Sequence, residues 1–120
     1  MKNMNKIFVY GTLMAGYGNN RIIQEGSLIT RATLKGLGMW DYGFFPVVSS
    51  KANSEVVGEV WEIDDDQLQH CDWLEGHPTF YHRVEWPCED IETTVQVYIQ
   101  DRNQVENLPF IPSGDWRQYG

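Results

Sequence analysis

Glu75 is the residue best suited to moving a proton. It closes a segment that starts at Asp64-Asp65-Asp66, carries Leu68, Cys71 and Leu74 at helical spacing, and stops at Gly76 and Pro78. A carboxylate at a helix C-terminus faces the negative pole of the macrodipole, which disfavours it by about 0.3–1 kcal/mol. Stability alone would select lysine or arginine there. Trp73, Leu74, Phe80 and Tyr81 flank it, and burial among them would raise its pKa further toward the range of a general base. A solvated terminal glutamate fits the same residues, so the local sequence leaves both readings open. Asp72, one helical turn earlier, is placed to be a partner, although a surface position suits it better.

A second constellation is the turn Tyr10-Gly11-Thr12-Leu13, directly after the run Ile7-Phe8-Val9-Tyr10. Glycine reaches backbone angles closed to other residues and lets a neighbouring group approach the main chain. Successive N–H groups in a sharp turn form a concavity for an anion or a developing oxyanion. An ordinary strand-ending turn has the same local sequence.

Other chemistries fit less well. His70, Cys71, His77 and His82 have metal-ligating side chains without the tight spacing of a zinc signature, so no metal is expected. Cys71 lies on the apolar stripe of the helix, where a cysteine acts as a small hydrophobe. Gly-x-Ser-x-Gly and the phosphate-binding loop are both absent, and Gly36-Leu37-Gly38 lacks the third glycine of a dinucleotide fingerprint. A carboxylate acid/base is the leading catalytic option.

These residues need a frame. Asp65–Glu75 is expected to be the main helix, with a short helix over Asn19–Gln24 capped by Asn19 or Asn20. Ile7–Tyr10, Ser27–Leu37, Phe44–Ser49, Val56–Ile63, Tyr81–Trp86 and Thr93–Ile99 read as short strands, and Leu28, Thr30, Ala32 and Leu34 would share one face. The expected class is α+β: a small, mostly antiparallel β barrel flanked by one main and one or two short helices. The last 20 residues look irregular, with Trp116 and Tyr119 available to fold them back over the barrel.

At 120 residues the chain suits one domain, residues 1–120, and can bury about two-thirds of its unfolded surface without metal or disulfide. A formal charge of −8 with only 9 scattered basic residues argues against nucleic acid and anionic membranes as partners. There is no signal-peptide core and no bilayer-spanning run, and two cysteines make no disulfide framework. A reducing cytosol is the expected setting; oligomeric state is not set by these features.

In combination, four pieces resemble the gamma-glutamylcyclotransferase-like family, in its order and over nearly the whole chain. They are Val9-Tyr10-Gly11-Thr12-Leu13 with Gly18-Asn19 after it, and Gly43-Phe44-Phe45-Pro46-Val47-Val48. Then come Val57-Gly58-Glu59-Val60-Trp61-Glu62-Ile63 leading through Leu68 to Asp72-Trp73-Leu74-Glu75-Gly76-His77-Pro78, with Tyr81 and Arg83 beyond. The last is Ile111-Pro112-Ser113-Gly114-Asp115-Trp116. One departure is Met14-Ala15, where the family often carries a basic residue after the leucine.

The resemblance implies a β barrel with one open cavity. It also implies attack of a gamma-glutamyl α-amine on its own γ-amide carbonyl, giving 5-oxoproline and a free amine. Carried over by position, Glu75 is the acid/base. Tyr10, Gly11, Thr12 and Leu13 hold the substrate and the oxyanion through the main chain. Tyr81 lines the cavity, and main-chain N–H groups or Arg83 receive the substrate carboxylate. The small-molecule partner is a gamma-glutamyl amide or peptide, and no cofactor is required. The alternatives are a non-catalytic barrel of the same fold that binds a small amine-bearing ligand, and a protein-contact module suggested only by the aromatic content.

Overall fold

In chain order the strands are β1 (Met4–Val9), β2 (Ser27–Lys35), β3 (Gly38–Asp41), β4 (Pro46–Ser49), β5 (Glu55–Asp64), β6 (His82–Cys88) and β7 (Thr93–Ile99). The helices are α1 (Asp65–Leu74) and α2 (Trp116–Tyr119). These come from a computed structural model that describes residues 3–101 and 104–119. Five strands form one mixed sheet in the order β2-β5-β1-β7-β6, while β3 and β4 make a separate hairpin.

β1 occupies the middle of the sheet because it is apolar on both faces. Ile7 and Val9 belong to one buried cluster, with Ile63 and with Leu68 and Cys71 of α1. Phe8 and Tyr10 belong to a second, with Leu34, Val56, Val60, Val95 and Val97. A strand covered on both sides reads as a continuous apolar run, which is what Ile7–Tyr10 is. It runs antiparallel to β5, with Ile7 opposite Trp61 and Val9 opposite Glu59, and parallel to β7, with Ile7 opposite Gln96.

The α+β class holds, but the sheet is not closed into the expected barrel. Its edges β2 and β6 are joined by side chains instead of a ladder. The Trp86 Nε1–H donates to the Lys35 carbonyl at 2.8 Å, and Asp90 accepts from the Thr33 N–H at 2.8 Å. Pro87, within β6, has no N–H to offer a further strand.

A register shift between Leu28 and Thr30 breaks the alternation expected along β2. Ala32 and Leu34 are buried, whereas Leu28 is exposed. Strand β3 was not anticipated, and β4 begins at Pro46 instead of Phe44. The Asn19–Gln24 helix is a single 3₁₀ turn over Gly18–Ile22, capped by no side chain. The tail does fold back: the Ile111 N–H donates to the Met39 carbonyl and the Val57 N–H to the Gly114 carbonyl. Trp116 packs against both buried clusters, while Tyr119 stays largely exposed and stacks on it. No helix among the described residues is long and apolar enough to cross a membrane.

Candidate active site

Helix α1 starts and stops as its residues dictate. The Asp64 side chain accepts from the Gln67 N–H while the Gln67 side chain accepts from the Asp64 N–H, a reciprocal capping box. At the other end the His77 N–H reaches the Asp72 carbonyl and the Gly76 N–H the Trp73 carbonyl, with Gly76 at φ +66°. This paired closure ends the helix sharply and fixes Glu75 as its cap residue. The Glu75 carbonyl then accepts from the Tyr81 N–H at 3.3 Å, so the turn through the cis His77–Pro78 bond brings Tyr81 back beside Glu75.

Glu75 lines a cavity of about 350 Å³ together with Tyr10, Gly11, Thr12, Leu13 and Tyr81. The expected acid/base and the five expected substrate-binding residues therefore line one space, while Asp72 and Arg83 are not among the lining residues. Glu75 is half-buried, and no hydrogen bond from a described residue reaches its carboxylate. Burial pushes its pKa up to about 7. Of its sequence neighbours, Leu74 and Phe80 line the cavity, while Trp73 points into solvent and takes no part in that burial.

Gly11 is required by close approach and not by its φ angle: a Cβ there would stand 3.0 Å from Cγ and Cδ of Pro46. The turn is pinned from outside. Asn19 donates to the Thr12 hydroxyl and Asn20 to the Leu13 carbonyl, each at 2.8 Å. The two asparagines thus brace the turn instead of capping a helix. The N–H groups of Gly11, Thr12 and Leu13 meet no acceptor among the described residues, which leaves them available to a ligand.

Tyrosine hydroxyls floor the site. Tyr10 donates to the Tyr98 carbonyl at 2.7 Å and Tyr81 to the Pro46 carbonyl at 2.8 Å. Burial, with the Glu75 carboxylate adding to it, raises both pKa values well above the usual phenol, so both stay protonated.

Tyr98 itself lines the cavity and donates to Asp72 at 2.6 Å. Asp72 is therefore no free surface residue: the Arg83 guanidinium grips it through Nε at 2.8 Å and Nη2 at 3.0 Å. Those bonds hold the Asp72 carboxyl below its ordinary pKa although partial burial opposes them. Arg83 is held by Asp72 and is absent from the described residues lining the cavity, which favours the main-chain donors over it as the receiver of a substrate carboxylate.

Sequence reasoning missed Tyr98, Asn19 and the hairpin residues Phe44, Phe45 and Pro46. It also missed the buried Glu59, whose carboxylate accepts from the Ala15 N–H at 2.9 Å, the Trp61 Nε1–H at 3.0 Å and Arg117 at 3.1 Å. A charged residue in the apolar strand Val57–Ile63 was the available clue. Among the described residues no group of three or more His, Cys, Asp or Glu could hold a metal ion. Cys71 is buried, and that burial pushes its thiol up to about 12.

The position of Glu75 has a signature in stability. Its pKa is raised from 4.5 to about 7, so the folded chain holds the proton more tightly than the unfolded one. The stabilising share of the protonated form is whole below pH 4.5 and is lost as pH climbs through about 7. Thermal melts at pH 5 and pH 8 are expected to show a steeper loss of Tm for the wild type than for Glu75→Gln. Parallel losses would place the carboxyl in open water.

Comparison with known proteins gives a consistent picture. The family model described as gamma-glutamyl cyclotransferase, AIG2-like, matches residues 7–118. A Vibrio cholerae protein carrying the provisional name gamma-glutamylcyclotransferase is 34% identical over 117 residues, 93% of this chain and 95% of that one. The gamma-glutamylaminecyclotransferase of Rattus norvegicus is 33% identical over 92 residues, 68% of this chain and 61% of the rat protein. The crystal structure of an AIG2-like protein from Mus musculus has a TM-score of 0.82 at 23% identity, covering 98% of this chain and 91% of the mouse chain. At that identity the likeness speaks for the fold.

Proposed function

The chain belongs to the gamma-glutamyl cyclotransferase, AIG2-like family, and on that premise we propose that it cyclises a gamma-glutamyl amide or peptide to 5-oxoproline, releasing the amine. The observation that carries this is the meeting of Glu75, its pKa near 7, with the unoccupied N–H groups of Gly11, Thr12 and Leu13 around one cavity.

Nucleophile and electrophile belong to one molecule, so a site that holds the substrate folded supplies much of the acceleration by proximity. Glu75 takes a proton from the α-ammonium and frees its lone pair. The α-nitrogen then bonds to the γ-carbonyl carbon, and the main-chain N–H groups of Gly11, Thr12 and Leu13 receive the oxyanion. Glu75 passes its proton to the departing nitrogen, the amide C–N bond breaks, and a second proton follows the same route. The positive charge that began on the α-ammonium leaves on the liberated amine, and Glu75 returns to its carboxylate. No water is consumed. The substrate α-carboxylate falls to the same main-chain donors, now that Arg83 is committed elsewhere. The tyrosines, protonated throughout, keep the walls in place.

Incubation with a panel of gamma-glutamyl amino acids and gamma-glutamyl amines is expected to release 5-oxoproline, read by chromatography. No product across the panel would sink the reaction and leave a protein that only binds such ligands.

A further inference from the structure

The cavity has a second half that ring closure does not use. The hairpin tip between β3 and β4 carries Phe44, which is 95% exposed yet borders the cavity with Phe45 and Pro46. Leu74 and Phe80, brought in by the end of α1 and the turn after it, border the same cavity. Several of these rings pack on one another and on neighbouring tyrosines. Tyr42 stacks on Phe45 at 5.1 Å, Phe80 meets Phe45 edge-on at 6.0 Å, and Tyr81 meets Phe80 edge-on at 5.0 Å. Among the described residues lining the cavity, Glu75 alone carries a full charge.

We propose that this aromatic wall is the leaving-group subsite, and that the chain acts on gamma-glutamyl conjugates of apolar, aromatic-type amines in preference to those of amino acids or diamines. This rests on the cyclotransferase reading and names the half of the substrate that reading leaves open.

Three physical points support it. A leaving amino acid carries a carboxylate into this half of the cavity, where no Lys, Arg or His among the described lining residues can meet it. Desolvating that charge unpaired is costly. A second ammonium, as in a lysine or diamine conjugate, finds only the weak attraction of an aromatic face, with Glu75 already engaged on the α-nitrogen. An apolar ring, by contrast, gains from contact with the walls and covers Phe44, whose exposure is otherwise a cost in water. The net charge of −8 reinforces the discrimination against anionic conjugates.

The test compares gamma-glutamyl phenethylamide, gamma-glutamyl methylamide, gamma-glutamyl glutamate and a gamma-glutamyl lysine conjugate. The phenethylamide is expected to exceed the methylamide in kcat/KM by at least about tenfold, the gain for burying a ring, with the charged conjugates lower still. Phe44→Ala, a change at an exposed tip, is expected to shrink the phenethyl-to-methyl ratio to within about threefold. A flat series, or one led by glutamate or lysine, overturns the proposal.

Binding separates this idea from the reaction. With Glu75→Gln, calorimetric titration should rank phenethylamide above methylamide. That rank without turnover of any compound by the wild type would sustain the subsite and sink the cyclotransferase reading. Turnover with no rank in binding or rate would do the reverse.

Discussion

Glu75→Gln is expected to lower kcat/KM for 5-oxoproline release by about 100–10,000-fold, the range for removing one positioned acid/base. The substitution keeps the shape of the side chain and removes its proton traffic. Since no described donor binds the carboxylate, the amide breaks no hydrogen bond, and the variant should fold. The pH profile decides between a catalytic and a supporting role. The working base is the ionised form, so wild-type kcat/KM should rise through pH 7, matching a carboxyl pKa of about 7. That limb should vanish from the residual rate of the variant. A variant that is slow but keeps the limb would move the base to another group.

Gly58→Ala should produce a large loss of stability from a single methyl group. Gly58 lies on β5 opposite Ala32, and an added Cβ would stand 2.2 Å from the Val9 carbonyl oxygen and 2.7 Å from Cζ of Phe8. Backbone cannot give way as a flexible side chain can, so the cost should reach about 3 kcal/mol, the upper end for overpacking. The displaced group is the last residue of β1, immediately before Tyr10. Urea denaturation should show the loss, and the folded fraction should also turn over more slowly, because the shift passes into the turn. Gly18→Ala, where a Cβ meets nothing within 4 Å, is the control and should change stability by less than about 0.5 kcal/mol. Equal effects from the two would refute the close approach.

The candidate site was legible where a residue broke a local rule. Glu75 at a helix end is unfavourable for the dipole, a departure that can be seen in one dimension, whereas the Tyr10–Leu13 turn has the sequence of an ordinary strand ending and stands out only through the family resemblance. Tyr98 could not be found this way. It sits in Val95–Ile99 among Val97 and Ile99, and only the fold shows that its hydroxyl meets Asp72 while its ring reaches the cavity. The pairing of Arg83 was hidden for the same reason: its partner, eleven residues away in α1, is a tertiary matter. The barrel failed on long-range geometry. Periodicity counted strands well enough, yet whether β2 and β6 exchange main-chain hydrogen bonds depends on twist, on the shift at Leu28–Thr30 and on Pro87. Strand β3 escaped because Gly38–Asp41 is too short to establish an alternation.

The central place of β1 has a kinetic consequence. Ile7 lies beside Trp61 on one flank and Gln96 on the other, so β1 is fully seated only after β7, which is made much later than β1, has formed. The carbonyl that receives the Tyr10 hydroxyl belongs to Tyr98. A growing chain therefore holds the turn without its walls until β7 has arrived, and cannot trap ligand on the ribosome. With its neighbours so distant in sequence, the search for register on both flanks should set the pace of folding, slower than for a helical bundle of equal length. Ligand capture should appear in one step with the global transition and not ahead of it.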